Sequence, residues 1–274
     1  MTNPVIESLL NHRSVRKYLP QPVESEKVEL ILKAGTRAAT GGNLQLYSFV
    51  VIDDPAMKEK LDRDYPQMEF KYADIPLVII ALADLYRVRR WFEVFGVPRD
   101  RIANNRIFNL LMANWDALIA LQNMVVAAES MDLGTCYVGN ALLMDVGTLL
   151  GAPENVFPAG LITVGYPDSL PDLSSRLPME AVVHKNGYHP PEDDEIKEIY
   201  RERNEAWNRV PDDVKERLAH KGIHNIPEGV ARRKFGADDY FVNEKIGSTL
   251  GISKACRIIL ENLGKAGFDL SYRG

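Results

Sequence analysis

The chain has 274 residues, enough for one large domain or two small ones with a substantial core. It is 46% hydrophobic and 26% charged, the balance of a soluble globular protein, and its net charge of −5 argues against non-specific nucleic-acid binding. Two distant cysteines, Cys136 and Cys256, exclude a disulfide framework. With no leader-like pattern at Met1-Thr2-Asn3-Pro4, they point to a cytoplasmic protein.

Asn3 and Pro4 predict the N-cap and first turn of a helix reaching about Asn11, with Val5, Ile6, Leu9 and Leu10 on one side. His12-Arg13-Ser14-Val15-Arg16 follows. Two arginines, a histidine and a hydroxyl in five residues suit an anion, although the cluster taken alone favours the plainer reading, a solvated basic patch closing a helix and offsetting its dipole. After Pro20 and Pro22, Ser25 is expected to cap a second helix carrying Val28, Ile31, Leu32 and Gly35. Thr40-Gly41-Gly42-Asn43 reads as a loop, Ser48 to Ile52 as a short strand, and Asp53-Asp54-Pro55 as the start of a helix to about Arg63.

Leu77 to Ala83 is continuously apolar and predicts a central strand buried on both faces. Residues 102–130 read as one long helix, apolar almost all round. Its polar residues, Asn114, Asp116, Gln122 and Glu129 among them, favour a large core over a membrane span. Gly134 is expected to end that helix, ahead of a strand at Cys136-Tyr137-Val138, a helix near Leu142 to Leu150, and a strand from Pro158 to Val164. Pro171 to Pro178 reads as loop and Met179 to His184 as extended. Charged helices are expected at about 193–208 and 211–220, then an irregular stretch from His224 to Phe241 and a final helix at about 253–264. The expected organisation is a core over 1–190 and a helical extension over 191–274 that wraps the core or a partner subunit.

No nucleophile elbow, P-loop, paired-carboxylate pattern or dinucleotide fingerprint is present. Gly134-x-x-x-x-Gly139 follows a helix and precedes a strand, the wrong order for a dinucleotide turn. The five histidines make no metal-ligand pair, since Gly222 separates His220 from His224 and no acidic ligand adjoins them. Four polar segments remain: His12 to Arg16, Thr40 to Gln45, Gly134 to Asn140, and the surroundings of Arg176.

Taken together and in order, these segments resemble the nitroreductase family of flavoproteins, and most of all its branch of oxygen-insensitive major nitroreductases and NADPH–FMN flavin reductases. The resemblance is carried by His12-Arg13-Ser14-Val15-Arg16 with Tyr18, by Ala38 to Gln45, by Ala127 to Gly134 running into Cys136 to Asn140, and by Gly160-Leu161, Val164 to Pro167, Arg176-Leu177-Pro178 and Val183-His184. It implies an α+β fold, a mixed and mainly antiparallel sheet surrounded by helices, in a homodimer with two FMN sites at its interface. The helix over 102–130 would form that interface. It implies hydride transfer from NADPH or NADH to FMN and on to nitroaromatic, quinone or flavin acceptors by a ping-pong cycle, with no catalytic side chain assigned.

By the same resemblance His12, Arg13, Ser14 and Arg16 hold FMN, Arg13 and Ser14 suiting its phosphate and ribityl end. Arg16 would reach either the phosphate or the pyrimidine side. Arg176 matches the family's arginine at the phosphate. Thr40, Gly41, Gly42, Asn43 and Gln45 would meet the cofactor from the partner's side. Tyr137, Val138, Gly139 and Asn140 would lie along the isoalloxazine, and Gln67 is a candidate for the pyrimidine edge. Ser174 stands where relatives usually carry a lysine, which removes one positive charge. Arg232-Arg233-Lys234 would either contact the extra phosphate of NADPH or form a solvated basic run. Other readings keep the fold and FMN with a different reaction, such as dehalogenation or oxidative chemistry, or a flavin-binding redox-responsive protein with little turnover.

Overall fold

The computed structural model describes residues 3–67, 69–102, 106–220, 222–225 and 254–269. They divide into two compact units: one runs to Leu173 and resumes at Ile258, and the other runs from Ser174 to Arg257.

The first unit is built on a four-stranded sheet, β1 (Tyr47–Ile52), β2 (Leu77–Asp84), β3 (Gly134–Val138) and β4 (Val156–Gly165), in the spatial order β1-β2-β4-β3 with every pairing antiparallel. The expected α+β class with a mainly antiparallel sheet is met. Parallel pairing appears among the described strand contacts only as isolated bridges, Ser14 with Thr135 and Arg106 with Asp269. The apolar run of β2 is central as predicted, and all of its residues are buried. Alternation along it explains why both faces are apolar. Leu77, Ile79 and Ala81 face one core cluster, while Val78, Ile80 and Leu82 face another.

Helices fill both sides. α1 (Pro4–Leu10) begins as predicted, with Asn3 Oδ1 accepting from the amides of Val5 and Ile6. α2 (Ser25–Thr36) and α5 (Ile107–Glu129) pack on the first face. Ser25 is the first helical residue of α2 rather than its cap; Glu24 takes the cap position and makes no side-chain cap hydrogen bond. α2 and α5 approach closely at Gly35, where a Cβ would fall within 3 Å of the Met124 side chain. α3 (Pro55–Asp64) starts at Asp54, whose carboxylate accepts from the Met57 amide at 2.8 Å, and it packs on the other face. α4 (Tyr86–Val94), which the sequence reading did not anticipate, closes one end of the sheet with part of the last helix.

Three boundaries move around β3 and α5. The long helix starts at Ile107 rather than near Ile102. Its left-handed exit residue is Asp132 (φ 63°), a position Asp tolerates, so Gly134 does not end the helix but opens β3. The helix predicted near Leu142 to Leu150 splits into a 3-10 turn at Gly139–Leu143 and a short α6 (Val146–Leu150), capped by Asp145.

In the second unit, Met179–Ala181 is a 3-10 turn set by Pro178, not an extended piece. The first charged helix breaks at Tyr200 into α7 (Asp193–Ile199) and α8 (Arg201–Asn208), and α9 (Asp212–Ala219) follows. α7 and α9 bury no residue. Local ion pairs such as Lys197–Asp194 and Arg201–Glu198 support these helices in place of a packed face. α10 (Lys254–Lys265) completes the chain's described helices; from Ile258 it belongs to the first unit, where Leu263 is buried in the end cluster. The irregular stretch expected up to Phe241, with Arg232-Arg233-Lys234, lies largely outside the described residues.

Candidate functional site

The residues after α1 form a strap along the free edge of β3. The Val15 amide donates to the Thr135 carbonyl at 2.8 Å, and Ser14 bridges to Thr135. An edge strand carries unpaired backbone groups, and the strap satisfies part of them. Gly134 is required for this approach, because a Cβ there would lie 2.7 Å from the Val15 Cβ. Tyr18 locks the strap from below: its hydroxyl donates to the Val15 carbonyl at 2.6 Å and pairs with Thr163 Oγ1 at 2.7 Å. Burial pushes the Tyr18 phenol well above its ordinary range, so it stays neutral.

The strap therefore presents its side chains at fixed positions. His12 Nδ1 lies 2.7 Å from Glu129 Oε1 at the end of α5. Arg13 Nη1 donates to the Asn11 carbonyl at 3.1 Å. Arg16 donates to the Ser14 carbonyl at 3.3 Å and is ion-paired with Glu69, at the mouth of a cleft of about 820 Å³. Further along β3, Tyr137 is partly exposed and its hydroxyl donates to Gln122 Oε1 at 3.2 Å. Burial raises the Tyr137 phenol well above its usual range, and the charge of Glu129 raises it further. Gly139 opens onto free space, since a Cβ there would meet nothing within 4 Å. Asn140 Nδ2 donates to Gln67 Oε1 at 3.4 Å, so these two predicted residues do come together.

The Thr40 to Gln45 segment is a tight turn with three left-handed residues, Gly42 (φ 56°), Asn43 (φ 55°) and Gln45 (φ 51°). Asp116 on α5, nearly fully buried, organises it. Its carboxylate accepts from the Thr40 hydroxyl, from the Gly41 amide at 3.2 Å and from the Leu46 amide at 3.4 Å. Thr40 Oγ1 in turn accepts from the Gln45 amide at 2.9 Å. Thirteen residues of α5, about 20 Å of helix, separate Asp116 from Glu129. One chain thus holds the 40–45 turn and the 12–16 strap far apart.

Arg176 belongs to the second unit. Its Nη1 donates to the carbonyls of Ser174 (3.1 Å) and Ser175 (3.5 Å), and it lines a cleft of about 740 Å³ with His184, Glu195 and Glu198.

Three residues outside the sequence prediction shape these segments: Glu129 holds His12, Asp116 holds the turn, and Glu69 pairs with Arg16. A carboxylate in an otherwise apolar helix was a visible signal for Asp116. Glu69 carried none, because its link to Arg16 crosses more than fifty residues of chain.

The family model for the nitroreductase family matches residues 9–166, which include the strap, the turn and β3. The chain belongs to the nitroreductase family. Among its relatives, the FMN reductase (NADPH) of Bacillus subtilis is 32% identical over 229 residues, covering 75% of this chain and 89% of the relative. The oxygen-insensitive NADPH nitroreductase of Salmonella typhimurium is 30% identical, covering 76% of this chain and 87% of the relative. The solved structure of NfrA2 from B. megaterium superposes with a TM-score of 0.77 over 99% of this chain and 100% of its own, at 26% identity. The expected membership in this family of oxidoreductases is borne out.

Proposed function

We propose that this nitroreductase-family protein is a cytoplasmic, homodimeric, FMN-dependent NAD(P)H oxidoreductase. It passes reducing equivalents by a ping-pong cycle from NADPH or NADH to nitroaromatic, quinone or flavin acceptors. The observation that carries the reading is the strap of His12, Arg13, Ser14 and Arg16, bonded to the edge of β3 that leads to Tyr137, Val138, Gly139 and Asn140.

The residues present fit FMN. The strap supplies guanidinium, imidazole and hydroxyl donors, as a phosphate requires. The Gln67 and Asn140 amides offer donors and acceptors suited to a pyrimidine edge. Gly139 leaves room beside the partly exposed Tyr137 for a planar ring. When bound, FMN supplies the hydride chemistry at its N5 atom. The chain's part is placement and charge: Arg13 and Ser14 would hold the phosphate and ribityl end, and Arg16 would add positive charge at the phosphate or the pyrimidine side.

Two features support the dimer. An exposed apolar stripe, Phe108, Leu111, Trp115 and Ile119, runs along α5 at helical spacing. The separation of the 40–45 turn from the strap in one chain also favours a site that takes Thr40, Gly41, Gly42, Asn43 and Gln45 from the partner.

Anaerobic titration tests the function. The purified protein is expected to be yellow, to release FMN on denaturation, and to bleach on addition of NADPH or NADH, then recover colour with a quinone or nitroaromatic. Bound FMN that neither nucleotide reduces would sink the proposal.

A further inference from the structure

Glu129 has no role in the reading above, yet its geometry is specific. A single oxygen, Oε1, lies 2.7 Å from both His12 Nδ1 and Thr135 Oγ1. The carboxylate is largely buried, at 14% side-chain exposure, whereas the His12 side chain is 27% exposed and reaches the surface. An ionised carboxylate only accepts, so the hydrogens lie on Nδ1 and on the threonine hydroxyl. That fixes the ring: Nδ1 is occupied, and Nε2 is the nitrogen left for another partner. An anion at Nε2 requires a hydrogen there, which makes the ring an imidazolium.

We infer that Glu129 is a positioning residue for phosphate binding: it orients His12 so that Nε2–H meets the phosphate of the bound nucleotide. This rests on the FMN reading and extends it to the carboxylate behind the strap.

The test is titration of the cofactor-free protein with FMN and with riboflavin, which lacks the phosphate, followed by flavin fluorescence at pH 7. Glu129→Gln is expected to weaken FMN binding about tenfold at pH 7, the loss of one charge-assisted contact, and to leave riboflavin binding within about twofold. Equal weakening of FMN and riboflavin, or unchanged FMN affinity in Glu129→Gln, overturns the inference alone. Failure of the unmodified protein to take up FMN overturns the cofactor reading and this inference with it. Should Glu129→Gln lose its fold by circular dichroism, His12→Gln decides: loss of FMN affinity with riboflavin spared supports the inference, and equal loss of both overturns it.

Discussion

Asp116 is a carboxylate placed where a core would normally exclude one. It lies in α5 between Ala113 and Ala117, both fully buried, and its cost is offset by donors from the Thr40 turn. Removing it would leave the Gly41 and Leu46 amides and the Thr40 hydroxyl without their acceptor. Asp116→Ala is therefore expected to lower unfolding free energy by roughly 2–4 kcal/mol, and Asp116→Asn by less because the amide oxygen still accepts. Denaturant unfolding of the three proteins checks this, and equal midpoints would show that water replaces the carboxylate. Gly134 teaches a related lesson. In sequence it looks like a helix stop, but its lack of a side chain serves Val15, which is adjacent only because the strap returns to the sheet edge.

At the level of elements, the end of the sheet is held by contacts distant in sequence. Asp145 caps α6 through the Thr148 amide at 3.1 Å and also accepts from Lys265 Nζ of α10 at 3.0 Å. The Lys265 contact, with help from the cap, holds the Asp145 carboxyl below its ordinary value. A carboxylate whose folded-state value is depressed stabilises the fold fully above its unfolded value, about 3.9, and loses that contribution as pH falls through the folded value. Asp145→Asn should thus be less stable than the unmodified protein near neutrality, with the gap closing in acid. Unfolding measured from pH 6 downward tests it; a gap that stays constant would assign the loss to geometry rather than charge.

For the molecule as a whole, the exposed stripe on α5 is a surface that a lone chain leaves unsatisfied. Phe108 is 69% exposed and Trp115 57%, whereas the opposite side of the same helix is among the most buried surfaces of the protein. A stable interface usually removes about 1,600 Å² from water, and a helix face with aromatic anchors suits its centre. Trp115→Glu, at a position where the single chain tolerates a charge, should convert the proposed dimer to a particle near 30.8 kDa by light scattering. An unmodified protein that already runs at that mass would remove the two-chain site.

What the sequence determined by itself was the local grammar. Asn3-Pro4 and Asp54-Pro55 mark helix starts, the run from Leu77 to Ala83 marks a central strand, and the cluster from His12 to Arg16, with the later segments in order, marks the family. These depend on residues within one or two turns of each other, and side-chain chemistry alone specifies them. Tertiary structure decided the partners: Glu129 with His12, Asp116 with Thr40, Glu69 with Arg16, and Gln67 with Asn140. Each pair is separated by more than fifty residues, and no periodicity or cap records it. Only the folding of the strap onto β3, and of the turn onto α5, brings those groups within hydrogen-bonding distance.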